Sequence, residues 1–150
     1  MKVLVDTNVV LDVFMKRQPF YEDSFAIFQR VGKRDIDGCL SSTSMTDIFY
    51  LLRKFHHGSA NVYPIMDDLA VFFSIVPVFD TTIVNALALR WNDFEDAVQF
   101  RVAKENGITH IVTRNEADYK NTGIQCLSPA GFIAYLENAD ADVRRFDPAD

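Results

Sequence analysis

MKVLVDTN, residues 1–8, is the stretch on which the fold is decided. Lys2 to Asp6 reads as a short buried strand, an apolar, β-branched run that stops abruptly on its aspartate. Thr7 and Asn8 follow as N-cap residues, and Asn8 to Met15, with Val9, Val10, Asp12, Val13 and Phe14, reads as a helix leaving the strand. The stretch therefore predicts a buried strand that ends on a carboxylate.

The same alternation continues outward from this unit. Phe20 to Val31 has helical spacing at Phe25, Ala26, Phe28 and Val31 and is stopped by Gly32, after which IDGCLSS reads as a second strand. TSMTDIFYLLRKFHHG, from Thr43, places Ile48, Leu51, Leu52 and Phe55 on one helix face and ends at Gly58 with basic residues in its last turn. Asn61 to Phe73 and Thr81 to Arg90 are further helices, with SIVPVF between them as a strand or extended link. Asp93 to Asn106, stopped by Gly107, carries Phe94, Ala97, Val98 and Val102 on one face. THIVTR and IQCL complete the strands, and Pro129 opens a last helix running to about Asn138. Strands alternating with helices predict an α/β fold with a mainly parallel sheet. No repeat or linker divides the chain, so residues 1–138 read as one domain and 139–150 as a polar, frayed tail.

Composition narrows the classes of function. With 49% hydrophobic and 24% charged residues, the 150-residue chain has the make-up of a water-soluble globular domain. Asp6 and Asp12 interrupt the first apolar run, and no basic leader precedes it, which predicts a cytoplasmic protein with no membrane partner. Cys39 and Cys126 lie far apart in apolar runs, as buried free thiols do. A formal charge of −6 argues against gripping nucleic acid by general electrostatic attraction, so such a partner must be held locally.

The acids are placed where solvated charge is not expected. In an open parallel sheet, ligands bind beyond the carboxyl ends of the strands, where Asp6 stands. Asp47 falls in the first turn of its helix, Asp93 and Asp96 share a helix face from which Glu95 is turned away, and Asp118 lies in the turn NEADY. Each has a structural alternative. Asp93 serves as an N-cap with Asp96 in the first turn, Asp47 offsets the helix dipole, and Asp118 starts a turn. If they converge, two carboxylates about 4 Å apart repel by roughly 4 kcal/mol at an effective dielectric near 20, which calls for a cation or shifted protonation. Oxygen ligands without paired cysteine or histidine favour Mg²⁺ or Mn²⁺ over Zn²⁺.

VLVDTNVVLD, SSTSMTDIFYLLRK, DFEDAVQFRVAKENG and HIVTRNEADY together resemble, in order and spacing over about residues 1–136, the motifs of PIN domains, close to VapC-like toxins of toxin–antitoxin pairs. The resemblance implies a three-layer α/β/α fold around a mainly parallel sheet. It implies an Mg²⁺- or Mn²⁺-dependent endoribonuclease, a homodimer, and a cognate antitoxin that covers the active site. Asp6 is then the central metal ligand, Asp96 the third acid with Asp93 as helper, and Asn8 and Thr113 support by hydrogen bonds. Asp47 stands where the family usually has glutamate. The fourth acid of many relatives falls on Asn115, with Asp118 three residues later, so either fills that position.

Other features weigh less. Arg114 borders the crevice as a phosphate-binding residue for RNA, ahead of Lys16, Arg17 and the basic helix end RKFHHG. Phe14, Phe25, Phe28, Phe55, Phe94 and Phe132 fall on apolar helix faces and are expected in the core, while Phe72, Phe73 and Phe79 are expected to leave apolar surface for a dimer or antitoxin. Asp6, Asp47, Asp96 and Asp118 make an RNA-hydrolysing enzyme the first reading. An inactive binding module on the same fold is the second. A phosphotransfer enzyme with Asp6 as nucleophile is the third, ranked last because Asn8 stands where such enzymes carry a second aspartate.

Overall fold

The computed structural model describes residues 1–119 and 122–144. Strands β1 (Lys2–Val5), β2 (Asp37–Ser41), β3 (Ser74–Val76), β4 (His110–Val112) and β5 (Gln125–Leu127) form one sheet in the order β3-β2-β1-β4-β5, every pairing parallel. The helices are α1 (Thr7–Phe14), α2 (Tyr21–Gly32), α3 (Ser42–Phe55), α4 (Tyr63–Phe72), α5 (Asp80–Leu89), α6 (Phe94–Glu105) and α7 (Pro129–Arg144), with a 3₁₀ turn at Glu116–Tyr119.

Two cores follow from the pleat of β1. Val3 and Val5 point to one side, into a cluster with Val9, Val10, Ile27, Ile48, Leu52, Leu69 and Phe132 drawn from α1, α2, α3, α4 and α7. Leu4 points to the other, joining Cys39, Ala86, Val98, Val102, Ile111 and Tyr119 beneath α5 and α6. Helices on both faces of a parallel sheet are the predicted three-layer α/β/α arrangement. Gly38 on β2 is required by close approach. A Cβ there would stand 2.6 Å from Val31 Cγ2 and 2.9 Å from Phe73 Cδ1.

The chain leaves β1 toward β2 and β3 on one side, then returns to place β4 and β5 on the other. The reversal lies between β1 and β4, the switch point beyond whose carboxyl ends open α/β sheets bind ligands, and Asp6 and Thr113 stand there side by side. Backbone bonds fix both residues there. Asp6 N–H donates to Val112 O at 2.9 Å, and Thr113 N–H to Leu127 O at 3.0 Å.

Several expectations need correction. Asp6 itself is the N-cap residue of α1, with φ −68° and ψ 147°, so Thr7 and Asn8 lie inside the first turn. Phe25, Phe55 and Phe94 are 40%, 49% and 44% exposed, because long amphipathic helices carry aromatic residues at the edges of their apolar stripes as well as in the middle. Phe73, expected at the surface, is buried against Gly38. The last helix does not fray at Ala139 but continues to Arg144, tied to α2 by Arg30, which lies 4.0 Å from Glu137 and 3.8 Å from Asp140. The rest of the expected tail, 145–150, lies outside the described residues. Cys39 and Cys126 are free thiols. Among the described residues, no helix is long and apolar enough to cross a membrane.

Candidate active site

Asp6 is where β1 becomes α1, and only 4% of its surface is exposed. Its Oδ2 accepts a hydrogen bond from Thr113 Oγ1 at 2.9 Å, and the Asn115 N–H donates to that same hydroxyl at 3.0 Å. Burial pushes the Asp6 carboxyl above the ordinary range, against the pull of the Thr113 hydroxyl, the backbone N–H groups of Thr7 and Asn8, and the charge of Arg114. Asn8 thus reaches Asp6 through its main chain.

Asp96 enters from the start of α6. The helix is capped by Asp93, whose Oδ1 accepts from the Asp96 N–H at 3.2 Å, so the N-cap alternative for Asp93 holds. Asp96 is 4% exposed, and its Oδ1 accepts from the buried Tyr119 hydroxyl at 2.9 Å, while Oδ2 is buried with no hydrogen-bond partner. Burial first, then the charges of Asp93 and Asp6 and the nearness of Asp118, push its carboxyl up to about 7, against the opposing Tyr119 bond. Asp118 stands exposed at the rim of a hollow beside Asp96. Tyr119 is held by its ring, edge-on to Trp91 at 5.9 Å. A hollow of about 370 Å³ beside these residues is lined by Arg90, Trp91, Asn92, Asp93, Asp96, Ala117 and Asp118. A larger one, about 540 Å³, opens at the amino ends of β1 and β2 and contains none of the site acids.

Asp47 lies in the second turn of α3, because the helix starts at Ser42, one residue earlier than predicted, and Ser41 caps it by accepting from the Ser44 N–H at 3.1 Å. No acid stands in its first turn, so the dipole alternative for Asp47 is overturned. Burial raises the Asp47 carboxyl, and its negative charge acts on Glu95.

Sequence spacing turns Glu95 away from Asp93, and the structure leaves it exposed at the start of α6, yet within reach of the charges of Asp6, Asp47 and Asp93. Its carboxyl is raised by burial and then by Asp6, Asp47 and Asp93, with the Thr7 hydroxyl favouring the charged form. Counting 100° per residue from Asp93 fails because Asp93, with φ −103° and ψ 112°, is not yet helical. The N-cap alternative for Asp93 carries this consequence, because a cap residue lies outside the helical count. Tyr119 was also missed, although it directly follows Asp118 in NEADY. So was the buried Gln99, which donates to Ser44 Oγ at 2.7 Å and ties α6 to α3 below the site. No sequence signal marks that last pair, which is 55 residues apart.

Arg114 lies beside the crevice but is already engaged. Its Nε is 3.5 Å from Asp12 Oδ2, and its guanidinium is 4.2 Å above the Phe20 ring. Among the described residues, no three His, Cys, Asp or Glu side chains stand close enough together to enclose a metal as they lie. The donor set nevertheless fits Mg²⁺ or Mn²⁺. Mg²⁺ retains water and takes one or two carboxylates, and here Asp96 Oδ2 is a buried oxygen with nothing bound to it.

Comparison with known proteins agrees with this architecture. A curated relative, Ribonuclease VapC1 of Aquifex aeolicus (strain VF5), is 25% identical over 123 residues, spanning 79% of this chain and 84% of the relative. Among solved structures, a toxin–antitoxin complex from Klebsiella pneumoniae superposes with a TM-score of 0.62 at 19% identity, covering 85% of this chain and 97% of that one. FitAcB from Neisseria gonorrhoeae gives 0.60 at 17%, with 85% and 97% covered, and FitAB bound to an IR36 DNA fragment gives 0.63 at 16%, with 85% and 95% covered. At those identities the superpositions speak for the fold alone. The PIN domain family profile matches residues 2–117, the whole run from β1 through the Asp6 and Asp96 crevice into the 3₁₀ turn, and the chain therefore belongs to the PIN domain family.

Proposed function

We propose that this protein is a divalent-metal-dependent endoribonuclease, the toxin of a cytoplasmic toxin–antitoxin pair, acting as a homodimer on RNA and restrained by a cognate antitoxin. The single observation that carries the reading is that Asp6 and Asp96 are both buried by the switch point, each carboxyl raised by burial, with the charge of Asp6 raising Asp96 further. The ribonuclease name of the curated relative and the toxin–antitoxin assembly among the structural neighbours support the same reading.

Asp6 and Asp96 would hold the ion, with Asp93 and Asp118 beside Asp96. Bound there, Mg²⁺ or Mn²⁺ would polarise a phosphodiester and its attacking water. The chain's own groups do the rest. Thr113 fixes the Asp6 rotamer through Oδ2, with Asn115 anchoring that hydroxyl, and Tyr119 fixes Asp96 through Oδ1. Glu95, its carboxyl raised beside Asp6 and Asp47, suits the acceptance of a proton from water. Residues 1–138 form the catalytic domain, to which the remainder of α7 adds a helical extension.

The test is cleavage of a single-stranded RNA with Mn²⁺ against EDTA, comparing the wild type with Asp6→Asn. Metal-dependent cleavage by the wild type, lost about 10²-fold or more in the variant, is expected for a residue that holds the ion. Equal cleavage by both would overturn the assignment. The inactive-module reading draws on the absence, among the described residues, of a ready-made three-acid cage. It predicts no metal-dependent cleavage and no change in melting temperature with millimolar Mn²⁺.

A further inference from the structure

Asp12 has no part in the chemistry above, yet it is built like a functional group. It lies on α1 with no exposed surface, and its carboxylate gathers three polar partners from separate segments. Ser24 Oγ on α2 donates to Oδ2 at 3.2 Å, Arg114 Nε lies 3.5 Å from the same oxygen, and an Arg17 terminal nitrogen lies 3.8 Å from Oδ1. The Arg17 backbone N–H also donates to the Asp12 carbonyl at 3.0 Å, closing the turn after α1. Both guanidiniums stay at the surface, Arg114 with 25% and Arg17 with 34% of the side chain exposed.

This arrangement is an expensive way to fill a buried position. Replacing a buried ion pair by apolar side chains of similar volume is often neutral or stabilising, so packing alone does not call for a carboxylate among Val9, Val10 and Leu11. What Asp12 does supply is direction. With Nε at ion-pair distance, 3.5 Å, from Asp12 Oδ2 and Cζ 4.2 Å from the Phe20 ring centroid, Arg114 is held between a carboxylate and a ring, and the donors of its terminal nitrogens remain available. Arg114 directly follows Thr113, which holds Asp6, and its charge acts on Asp6. A polyanion approaching a group of unneutralised carboxylates, on a chain of net charge −6, needs cations at this edge.

We propose that Asp12 is a positioning residue that fixes Arg114 and Arg17 as a clamp for backbone phosphates of single-stranded RNA at the edge of the Asp6 crevice. The clamp rests on the ribonuclease reading and extends it by naming the groups that hold the substrate.

The experiment measures binding of a fluorescent single-stranded RNA of about ten nucleotides by anisotropy, in EDTA to prevent cleavage, over a range of KCl, each phosphate contact contributing about 0.7 to the salt slope. Arg17→Ala should weaken binding severalfold and lower the slope by about 0.7. Arg114→Lys, which keeps the charge but loses the planar fork and the ring contact, should weaken it by about tenfold. Asp12→Asn separates positioning from bulk charge. Removing a negative charge tightens RNA binding if only the overall field matters, whereas the clamp predicts binding weakened severalfold. Tighter or equal binding by a folded Asp12→Asn protein, or unchanged affinity and slope in Arg17→Ala and Arg114→Lys, overturns the clamp. If Asp12→Asn does not fold, the two arginine variants decide. A wild type that cleaves RNA while those variants bind normally removes the clamp alone; a wild type that neither binds nor cleaves RNA removes the ribonuclease reading with it.

Discussion

Asp12 and Asp96 are both aspartates withdrawn from water, 0% and 4% exposed, and the protein treats them in opposite ways. Around Asp12 the chain supplies its own compensation, two guanidiniums and a hydroxyl. Around Asp96 it supplies a tyrosine hydroxyl and further acids, Asp93, Asp6 and Asp118, which make the charge harder to bear. A buried charge must be offset by something. Among the described residues no basic side chain forms an ion pair with Asp96, so its offset has to come from a proton or from an ion that is not part of the chain.

The contrast can be broken most directly by activity. Asp96→Asn keeps the shape and the Tyr119 bond, and should lower metal-dependent RNA cleavage by about 10²-fold or more, read as initial rates against wild type. Cleavage within a few-fold of wild type would place the ion elsewhere.

Stability should then respond with opposite signs at the two sites. Asp12→Ala leaves the buried Ser24 hydroxyl without its acceptor and should destabilise by about 1–3 kcal/mol, seen as an earlier urea midpoint with unchanged slope. Asp96→Asn relieves repulsion and should raise the melting temperature of the metal-free protein at neutral pH. Losses at both sites would erase the distinction between them.

Mn²⁺ should act on the second site alone. At about one hundred times its dissociation constant it should stabilise the wild type by roughly 2.7 kcal/mol and do little for Asp96→Asn. Calorimetric melting of both proteins with and without metal measures this.

The smallest effect is on pH. The Asp96 carboxyl rises from an ordinary 3.8 to about 7 in the folded chain, so between those values the folded state holds more protons than the unfolded one. Metal-free stability should therefore fall as pH climbs through that window, by at most about 1.4 kcal/mol for each pH unit, and the slope should flatten in Asp96→Asn. A wild-type profile that rises from pH 5 to 7 through this group would contradict the cause assigned here.

How far the sequence could be read depended on whether a signal was local. The strand and helix succession was legible because apolar periodicity and glycine stops act over a few residues, and MKVLVDTN announced the decisive strand–carboxylate junction in eight residues. Helix starts were less legible. Ser41 rather than a later residue caps α3, which moved Asp47 into the second turn, and Asp93 is a cap rather than a helical residue, which hid Glu95. Caps are made by side-chain bonds to particular backbone N–H groups, and spacing alone does not say which serine or aspartate makes them.

By itself, then, the sequence determined the class of architecture, the parallel sheet and the aspartate at the carboxyl end of its first strand, since these follow from hydrophobic pattern and from charge placed where burial is costly. Only the tertiary structure decided the company each acid keeps: Thr113 on Asp6 across 107 residues, Tyr119 on Asp96 across 23, and Arg114 turned to Asp12 from the far end of the chain. The reason is physical. Whether a buried carboxylate is neutralised, hydrogen-bonded or left to find a cation depends on groups brought within a few ångströms by strand order, and strand order is a property of the packed sheet, not of any one segment.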